Sequence, residues 1–392
     1  MYGIHTVRAV RNLSFSGRPL GHYPAYVRSL AMVKKAAARA NRDAGVLDAQ
    51  RGIAIERACS TVIGGEHLDQ FPVDVLSGGG GISVNMNVNE VIANLANERL
   101  GRARGTYDPV HPKTHVNASQ STADVCHSAI RIATLEHWAD LHPVLAECVA
   151  AFHDKTDQLR PVMTIARTCL QDAAPVSLGT LFGGHTAVLQ RRVVELARSV
   201  DALRRINLGG TAIGSGSGAP PVYRRAVLVH LREITGRDLA RRENLHDAAQ
   251  NIDDMAAVAT QLGLLAEVFV KIGQDLRLLA SGPDAGFGEL TLPAVQEGSS
   301  FFPGKINPVV AETLLQACFQ VLGCERAARL AMERGELNLN VFEGAAGVNV
   351  LDAMEMLRRC VALFVERCVK GIVANAARCR DLAARARFQM RE

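Results

Sequence analysis

Apolar side chains recur at alternating intervals of three and four residues in three stretches of the chain. The three sets are Leu189, Val193, Leu196, Val200 and Leu203; Val258, Leu262, Leu265, Phe269, Ile272, Leu276 and Leu279; and Met354, Leu357, Val361, Phe364 and Cys368. This interval keeps apolar residues on one helix face, and its repetition over several turns indicates long helices packed nearly parallel. Alternating runs rich in β-branched residues are few. The pattern therefore predicts a mostly α protein with a long-helix bundle.

An alanine-rich stretch from Tyr26 to Arg42 predicts another helix, which follows loop residues 14–19. Alanine favours the helix more than any other residue does. The neighbouring lysines of this stretch, Lys34 and Lys35, are interpreted as part of the helix face that contacts solvent.

A helix start is predicted at Ser121, Thr122 and Asp124, after which the helical pattern runs on toward Ala151. Hydroxyl and carboxylate side chains at a helix start commonly cap its free N–H groups. The alternative is functional, because a helix N-terminus beside hydroxyl groups is a suitable binding site for a carboxylate.

Two glycine-rich segments interrupt the helical pattern. Four glycines at 78–81 indicate either a flexible linker or a backbone that passes very close to another group. The polar residues that follow, Asn85, Asn87, Asn89 and Glu90, favour the second interpretation. Such side chains are costly to bury unless hydrogen bonds tie them into a defined site.

The second glycine-rich segment, residues 208–218, follows no predicted strand. Its glycine spacing also differs from that of a dinucleotide-binding fingerprint. We therefore interpret it as a tight connection between two helices.

The segment from Gly298 to Asn307 carries the most specific candidate chemistry. Ser299 or Ser300 could accept a proton, and Lys305 with Asn307 could bind a carboxylate. A phosphate-binding loop is disfavoured, since that motif needs four residues between its glycines and Ser or Thr after the lysine. Here five residues intervene and an isoleucine follows the lysine.

Length and charge limit the classes of protein to consider. A chain of 392 residues predicts two or three domains or one elongated one. We place the boundaries at 1–120 for a small N-terminal, mostly helical domain, at 121–375 for the central bundle, and at 376–392 for a short helical remnant. The net charge of +5 is spread along the chain, which argues against a nucleic-acid partner. The arginine-dense tail, residues 378–391, is interpreted as a polar helix end.

Nine scattered cysteines without a Cys-x-x-Cys motif indicate reduced thiols rather than disulfides or a zinc site. The sequence has no secretion signal and no run of eighteen apolar residues. We therefore expect a soluble cytoplasmic protein without a membrane partner.

Together these segments resemble the aspartase/fumarase superfamily, and its aspartate ammonia-lyase branch most closely. The matching segments are Tyr2 to Thr6, Gly78 to Glu90, His111 to Asp124, Arg167 to Asp172, Leu208 to Gly216, Gly298 to Asn307 and Gly335 to Asn338. The resemblance covers nearly the whole chain. It implies an elongated subunit of a homotetramer, in which long helices form one shared bundle and each active site uses three subunits.

The resemblance further implies an anti β-elimination that releases ammonia or an amine from an amino-acid-like carboxylate and leaves a fumarate-type product. It assigns Ser299 as the general base, and it requires neither metal nor organic cofactor. The residues implied to bind the substrate are Ser83, Ser121, Thr122, Thr168, Ser300, Lys305 and Asn307. His115 and Glu312 are expected to assist binding or to support the residues that touch the substrate.

The chain departs from the aspartase pattern where the family faces the leaving group. Ile82, Ala123 and Cys169 stand where relatives carry a hydroxyl residue, an asparagine and frequently a histidine, and Phe301 and Phe302 replace smaller or more flexible apolar residues. Aromatic faces suit a quaternary ammonium. One alternative is therefore an ergothionase-like lyase that releases trimethylamine from a betaine. The others are a fumarate hydratase-like enzyme and an inactive structural homologue, as in lens crystallins.

Relatives begin before the Tyr2-Gly3 motif and continue past Glu392 into a small C-terminal domain that helps to close the site. We therefore expect either a shortened chain or a different lid.

Overall fold

Long helices dominate the computed structural model, which describes residues 1–385. The helices are α1 Ile4–Leu13, α2 Pro24–Asp43, α3 Ala49–Ile63, α4 Ile82–Arg99, α5 Thr122–Leu159, α6 Leu178–Ala202, α7 Pro221–Thr235, α8 Leu245–Gln250, α9 Asp253–Leu279, α10 Val309–Glu333, α11 Glu343–Arg367 and α12 Ala376–Ala384. Short turns of 3₁₀ helix lie at Leu20–His22, Leu68–Gln70 and Val369–Gly371, and one π turn lies at Pro112–Val116. The prediction of a mostly α protein is confirmed.

Six short strands form three two-stranded pairs within the described residues. The strands are β1 Met163–Thr168, β2 Gln171–Ser177, β3 Arg205–Ile206, β4 Ala240–Arg241, β5 Leu290–Thr291 and β6 Val373–Ala374. The first pair and the third are antiparallel, and β3 pairs with β4 in parallel. The expectation that no strand precedes residues 208–218 is wrong, since β3 ends just before them. Two-residue strands are too short to show a periodic pattern.

The three stretches with alternating three and four spacing lie mainly in α6, α9 and α11, as predicted. These helices span 25, 27 and 25 residues, and α5 spans 38. Helix α9 is long and apolar enough to cross a membrane by length and composition alone, with 56% of its most apolar window buried. A core helix of a soluble protein passes the same test. The inner stripe of α9, which includes Leu262, Leu265 and Phe269, is fully buried.

The chain forms two compact units, and each is assembled from three separate stretches. The first unit comprises residues 1–137, 199–259 and 326–351, and the second comprises 138–198, 260–325 and the described residues from 352 onward. The domain boundaries at 120 and 375 stay a prediction. Of the predicted remnant 376–392 and the arginine-rich tail, residues 386–392 lie outside the described part of the chain.

Phenylalanine rings mark the core of the second unit. The Phe152 ring lies 5.9 Å from that of Phe182 and 6.2 Å from that of Phe364, and the Phe364 ring lies 6.5 Å from that of Phe269. These centroid distances fall in the range of favourable aromatic pairs. Four helices, α5, α6, α9 and α11, therefore pack on one another here.

In the first unit, a buried carboxylate holds the start of α1. Glu90, in the middle of α4, is fully buried and accepts hydrogen bonds from the backbone N–H groups of Gly3, His5 and Thr6 at 2.9 to 3.0 Å. The Thr6 hydroxyl donates to the same carboxylate at 2.7 Å. The first N–H groups of a helix have no partner within the helix. Glu90 supplies those partners and places a negative charge at the positive helix end.

The glycines at 78–81 are explained by backbone conformation. Gly79, Gly80 and Gly81 all have positive φ, at 84°, 65° and 88°. Three consecutive residues in the left-handed region are accessible to glycine at low cost. Gly81 also packs against α5, where a Cβ would lie 3.1 Å from the Cys126 sulfur. The interpretation of a close backbone approach is therefore confirmed at Gly81.

The interpretation of Lys34 as a solvent-facing residue is wrong, because the side chain is fully buried. Lys34 shares its helix face with Leu30 and Ala37, which lie four residues before and three residues after it and are also buried. The neighbouring Lys35 is partly exposed and donates to the Ser60 hydroxyl at 2.9 Å.

Candidate active site

The serine loop, residues 298–307, lies between β5 and α10 in the second unit. Ser299 Oγ accepts two backbone hydrogen bonds within this loop, from the N–H of Phe301 at 3.1 Å and from the N–H of Phe302 at 2.9 Å. Both donors point at the oxygen that would carry negative charge if the hydroxyl lost its proton. Hydrogen bonds to the charged form of a group favour that form.

The two ends of the serine loop are tied together at its base. Asn307 donates its side-chain amide to the Gly298 carbonyl. A Cβ on Gly298 would lie 2.1 Å from the Lys305 carbonyl oxygen, so only glycine fits there. Gly304, after Pro303, adopts a positive φ of 77° and completes the turn. The sequence Pro-Gly and the tie at the base explain why this segment forms a closed loop.

The serine loop surrounds a cavity of about 490 Å³, which is lined by Ser299, Ser300 and Lys305 among other loop residues. The rings of Phe301 and Phe302 lie 4.9 Å apart and are 79% and 58% exposed. Lys305 Nζ lies 5.9 Å from the centroid of the Phe302 ring, within cation–π range. Lys305 and Phe301 therefore line the cavity, and Phe302 contacts both of them from outside its lining.

In the first unit, Asp124 organises the start of α5. Its buried carboxylate accepts hydrogen bonds from the backbone N–H of Ser121 at 2.9 Å, of Gly209 at 3.0 Å and of Thr211 at 3.1 Å. Burial raises the pKa of Asp124, and these three donors oppose that shift. Asp124 thus joins the helix start to the glycine-rich connection at 208–218. The predicted helix start is confirmed, and the helix continues beyond Ala151 to Leu159.

Two further predicted residues lie at the start of α4, beside the start of α5. Ile82 is 45% exposed and follows Gly81 directly, whereas Ser83 is buried. Ala123 is also buried. The Thr122 hydroxyl contacts α4, because its oxygen accepts a hydrogen bond from the side-chain amide of Asn85 at 2.9 Å. The first unit therefore brings Thr122 and the beginning of α4 together.

Thr168 and Cys169 lie at the tip of the hairpin formed by β1 and β2, which the helical pattern did not predict. Cys169 and Leu170 form its turn with positive φ values of 52° and 60°, and both are exposed. Next to the tip, Arg167 pairs with the buried Glu289 at 2.8 Å and lies 4.2 Å from the Phe287 ring centroid. Among residues 1–385, no hydrogen bond or ion pair joins the hairpin tip to the serine loop.

His115 and Glu312 have partners of their own. The Nδ1 atom of His115 accepts a hydrogen bond from the backbone N–H of His111 at 2.9 Å, and burial, with Arg51 and His111 nearby, lowers the pKa of His115. Glu312, in the first turn of α10, lies 3.4 Å from an Arg277 guanidinium nitrogen. His115 belongs to the first unit and Glu312 to the second.

Sequence reasoning missed Lys34, which is hydrogen-bonded to Asn117 and Gln120 below the start of α5. Helix periodicity gives only a weak signal here, since Lys35 also has apolar neighbours at i−4 and i+3, Ala31 and Ala38, and is nevertheless partly exposed. Within residues 1–385, no group of three or more His, Cys, Asp or Glu side chains is arranged to hold a metal ion. The expectation of a reaction without cofactor stays a prediction.

Comparisons with known proteins cover nearly the whole chain. A family model described as "Lyase" matches residues 1–323. Aspartate ammonia-lyase of Helicobacter pylori (strain J99) is 41% identical over 97% of this chain and 81% of that protein. Aspartate ammonia-lyase of Bacillus subtilis is 42% identical over 96% of this chain and 79% of that protein.

Solved structures also match. Fumarate lyase:delta crystallin from Brucella melitensis, bound to cobalt, gives a TM-score of 0.95 at 45% identity and covers 97% of this chain and 83% of that one. A class II fumarase from Schistosoma mansoni gives a TM-score of 0.94 at 29% sequence identity. That match covers 98% of this chain and 84% of the fumarase chain. The fold predicted from the sequence is confirmed.

Proposed function

The chain belongs to the lyase family and is an enzyme of the lyase class, and from this premise we propose that it eliminates ammonia from an amino-acid carboxylate, with aspartate as the first candidate. The observation that carries the proposal is the pair of backbone N–H groups that donate to Ser299 Oγ. Two donors to one serine oxygen favour its charged form, which is the form that acts as a base.

In the proposed reaction, the Ser299 alkoxide removes a proton from the carbon next to a carboxylate. The electron pair of that C–H bond moves into the carboxylate and gives a dianionic intermediate. The pair then forms the carbon–carbon double bond as the neighbouring C–N bond breaks, and ammonia leaves with the C–N electrons. Ser299 ends the step as a neutral hydroxyl, and a proton must leave it before the next cycle.

Stabilisation of the Ser299 alkoxide is the main physical demand of this mechanism. The N–H groups of Phe301 and Phe302 meet part of it, and Lys305 adds a positive charge on the same loop. Removal of one such preorganised donor from an active site typically costs about 2.7–4 kcal/mol of transition-state stabilisation. Closure of the loop over substrate would strengthen these interactions by excluding water.

The substrate carboxylates need donors as well. Ser121, Thr122 and the free N–H groups at the start of α5 are proposed to stabilise the dianionic carboxylate, with Ser83 and Ser300 as further donors. The second carboxylate is assigned to Lys305 and Asn307 together with Thr168. His115 and Glu312 are assigned a supporting role.

The proposed assembly is a homotetramer whose active sites are shared between subunits. Its support is the family to which the chain belongs. In the proposed assembly, residues from different copies complete one site. The cytoplasmic location remains a prediction. The nine cysteines, all thiols and seven of them buried, agree with a reducing compartment.

A panel of substrates tests the proposed reaction, with the ultraviolet absorbance of the conjugated product as the readout. L-aspartate is expected to yield the unsaturated dicarboxylate and ammonia in equal amounts. A protein that hydrates fumarate and leaves aspartate unchanged would contradict the ammonia-lyase assignment. A folded protein that converts no member of the panel would instead indicate the inactive structural homologue.

A second candidate is an ergothionase-like amine lyase that releases trimethylamine from a betaine. It is favoured by the exposed aromatic pair Phe301 and Phe302 and by apolar Ile82 and Ala123 where an ammonium would need acceptors. Cys169 is the third proposed member of this leaving-group pocket. Ergothioneine belongs in the same panel, where trimethylamine release without ammonia release from aspartate would establish this candidate. Ammonia release from aspartate at ordinary rates would exclude it.

A further inference from the structure

Lys34 is a charged side chain buried inside the first unit, where the proposed mechanism does not use it. The side chain is fully buried on α2. Its Nζ atom donates to the side-chain oxygen of Asn117 at 2.8 Å and to that of Gln120 at 3.0 Å. A buried ammonium is costly unless it is hydrogen-bonded or paired, and these two acceptors supply the hydrogen bonds.

The Asn117 oxygen is the centre of a network that leads to the start of α5. It accepts hydrogen bonds from the side-chain amides of Asn85 at 3.0 Å and Asn89 at 3.2 Å, in addition to Lys34. The same amide nitrogen of Asn85 also donates to Thr122 Oγ1 at 2.9 Å. Three hydrogen bonds therefore connect Lys34 to Thr122.

The direction of these bonds fixes what Thr122 can do. Because Thr122 Oγ1 accepts from Asn85, its own hydroxyl hydrogen is available to donate elsewhere. If the Asn85 amide were reversed, Thr122 would donate to the Asn85 oxygen instead. The hydroxyl hydrogen would then be lost to a bound carboxylate.

The network has a cost that calls for an explanation. The side-chain oxygens of Asn85 and Asn89 are buried and have no hydrogen-bond partner among residues 1–385. A buried acceptor without a partner is unfavourable, and such groups in native structures commonly have a functional reason. The orientation that leaves these oxygens without partners is the one that directs amide hydrogens toward Asn117 and Thr122.

We propose that Lys34 is a positioning residue, whose hydrogen bond to Asn117 holds the amide network in the orientation that makes Thr122 a donor toward the substrate carboxylate. This role rests on the proposed function, because it requires a carboxylate at the start of α5. Lys34 itself does not touch the substrate.

Titratable groups on two neighbouring helices face Lys34. These are Asp124 and Cys126 on α5 and Cys59 on α3. Burial lowers the pKa of Lys34 to about 7, and it raises the pKa of Cys126 to about 11 and that of Cys59 to about 12. Tyr26, next to Cys126, also has a pKa raised by burial. Near neutral pH both thiols and the phenol are uncharged, so Lys34 can lose its charge there while they do not change.

A double-mutant cycle on aspartate elimination tests the proposal, because coupled residues give non-additive effects. Lys34→Met removes the charge and the donors, Thr122→Val removes the hydroxyl, and Lys35→Met is the matched control. We expect kcat/KM to fall about tenfold in each of the first two variants and about tenfold, not a hundredfold, in the double variant. The control is expected to stay within about twofold of wild type.

The pH dependence of the Lys34 effect is a second readout. The ratio of wild-type to Lys34→Met kcat/KM is expected to shrink as pH rises through about 7, because the neutral amine keeps N–H groups for Asn117 and Gln120 but donates more weakly than the ammonium does. Fully additive effects in the cycle would overturn the proposal. If Lys34→Met does not fold, Lys34→Gln replaces it in the cycle, since it removes the ammonium but keeps a polar side chain at this buried position.

Failure of this inference can be distinguished from failure of the proposed function. Additive effects in an enzyme that eliminates ammonia would sink the role of Lys34 and leave the function intact. If aspartate is not converted, the double-mutant cycle is instead built from the binding free energies of fumarate, measured by calorimetry on the same variants. The effects of the two substitutions on fumarate binding are again expected to be non-additive. A wild-type protein that neither converts aspartate nor binds fumarate would contradict both proposals.

Discussion

At the scale of single residues, Lys34 and Lys35 show how one helix places adjacent lysines in different surroundings. Lys34 faces the core, and burial lowers its pKa from 10.5 to about 7, whereas Lys35 is partly exposed. In the unfolded chain Lys34 regains its ordinary pKa. Between about pH 7 and about pH 10.5 the unfolded state therefore binds more protons than the folded state, and the free energy of unfolding rises with pH.

This linkage predicts a pH-dependent difference between wild type and Lys34→Met. Above the folded-state pKa of Lys34, this residue raises the free energy of unfolding by at most about 1.4 kcal/mol for each pH unit. From about pH 7 to about pH 8.5, wild type should gain up to about 2 kcal/mol relative to Lys34→Met. Urea unfolding at several pH values measures this difference, and Lys35→Met serves as the control that keeps the wild-type slope. If the free energy of unfolding changes with pH in the same way for wild type and Lys34→Met, the lowered pKa of Lys34 is contradicted.

At the scale of elements, turn chemistry decided which segments were predictable. Pro303 and Gly304 mark a turn, so the serine loop was recognised from the sequence. The hairpin of β1 and β2 was not recognised, because its turn uses Cys169 and Leu170 with positive φ, where glycine or asparagine is usual. The helix α1 was also missed, since it depends on Glu90, a residue more than eighty positions away in the sequence.

The dependence of α1 on Glu90 is testable by Glu90→Gln. The substitution removes a charge and one acceptor oxygen from a site that receives three backbone N–H groups, and hydrogen bonds to charged groups are worth about 1.5–3 kcal/mol each. We expect faster amide hydrogen exchange at residues 3–6, with little change in distant helices. Glu98→Gln is the matched control on the same helix, because Glu98 forms a partly exposed ion pair with Arg104. Unchanged exchange in Glu90→Gln would show that α1 is held by other contacts.

At the scale of the whole molecule, spacing in the sequence predicted the long helices but not how the chain divides. Each compact unit draws on three separate stretches, and helix periodicity carries no information on such long-range grouping. The candidate site is spread in the same way, with Thr122 in the first unit and Ser299 in the second. Motifs identified these residues individually. Their assembly into one site remains a proposal about the oligomer.

Complementation between two inactive variants tests that proposal. Ser299→Ala removes the base, and Thr122→Asp places a negative charge where the carboxylate should bind. If different copies supply the two residues, about half of the sites in mixed and reassembled oligomers receive a native Ser299 and, independently, about half receive a native Thr122. About a quarter of the sites then hold both, so the mixture should regain about a quarter of wild-type activity. Each variant reassembled alone is the control. No recovery in verified mixed oligomers would show that one subunit supplies both residues.

The central claim is that Ser299 is the base of an elimination reaction, and the kcat of Ser299→Ala with L-aspartate measures it most directly. Val295→Ala is the matched control just before the loop, because Val295 is partly exposed and has no role in the proposed reaction. General base catalysis is typically worth about 10²–10⁴ in rate, so kcat of Ser299→Ala should fall by at least about a hundredfold with Val295→Ala within about twofold of wild type. A Ser299→Ala enzyme that retains full activity would contradict the claim.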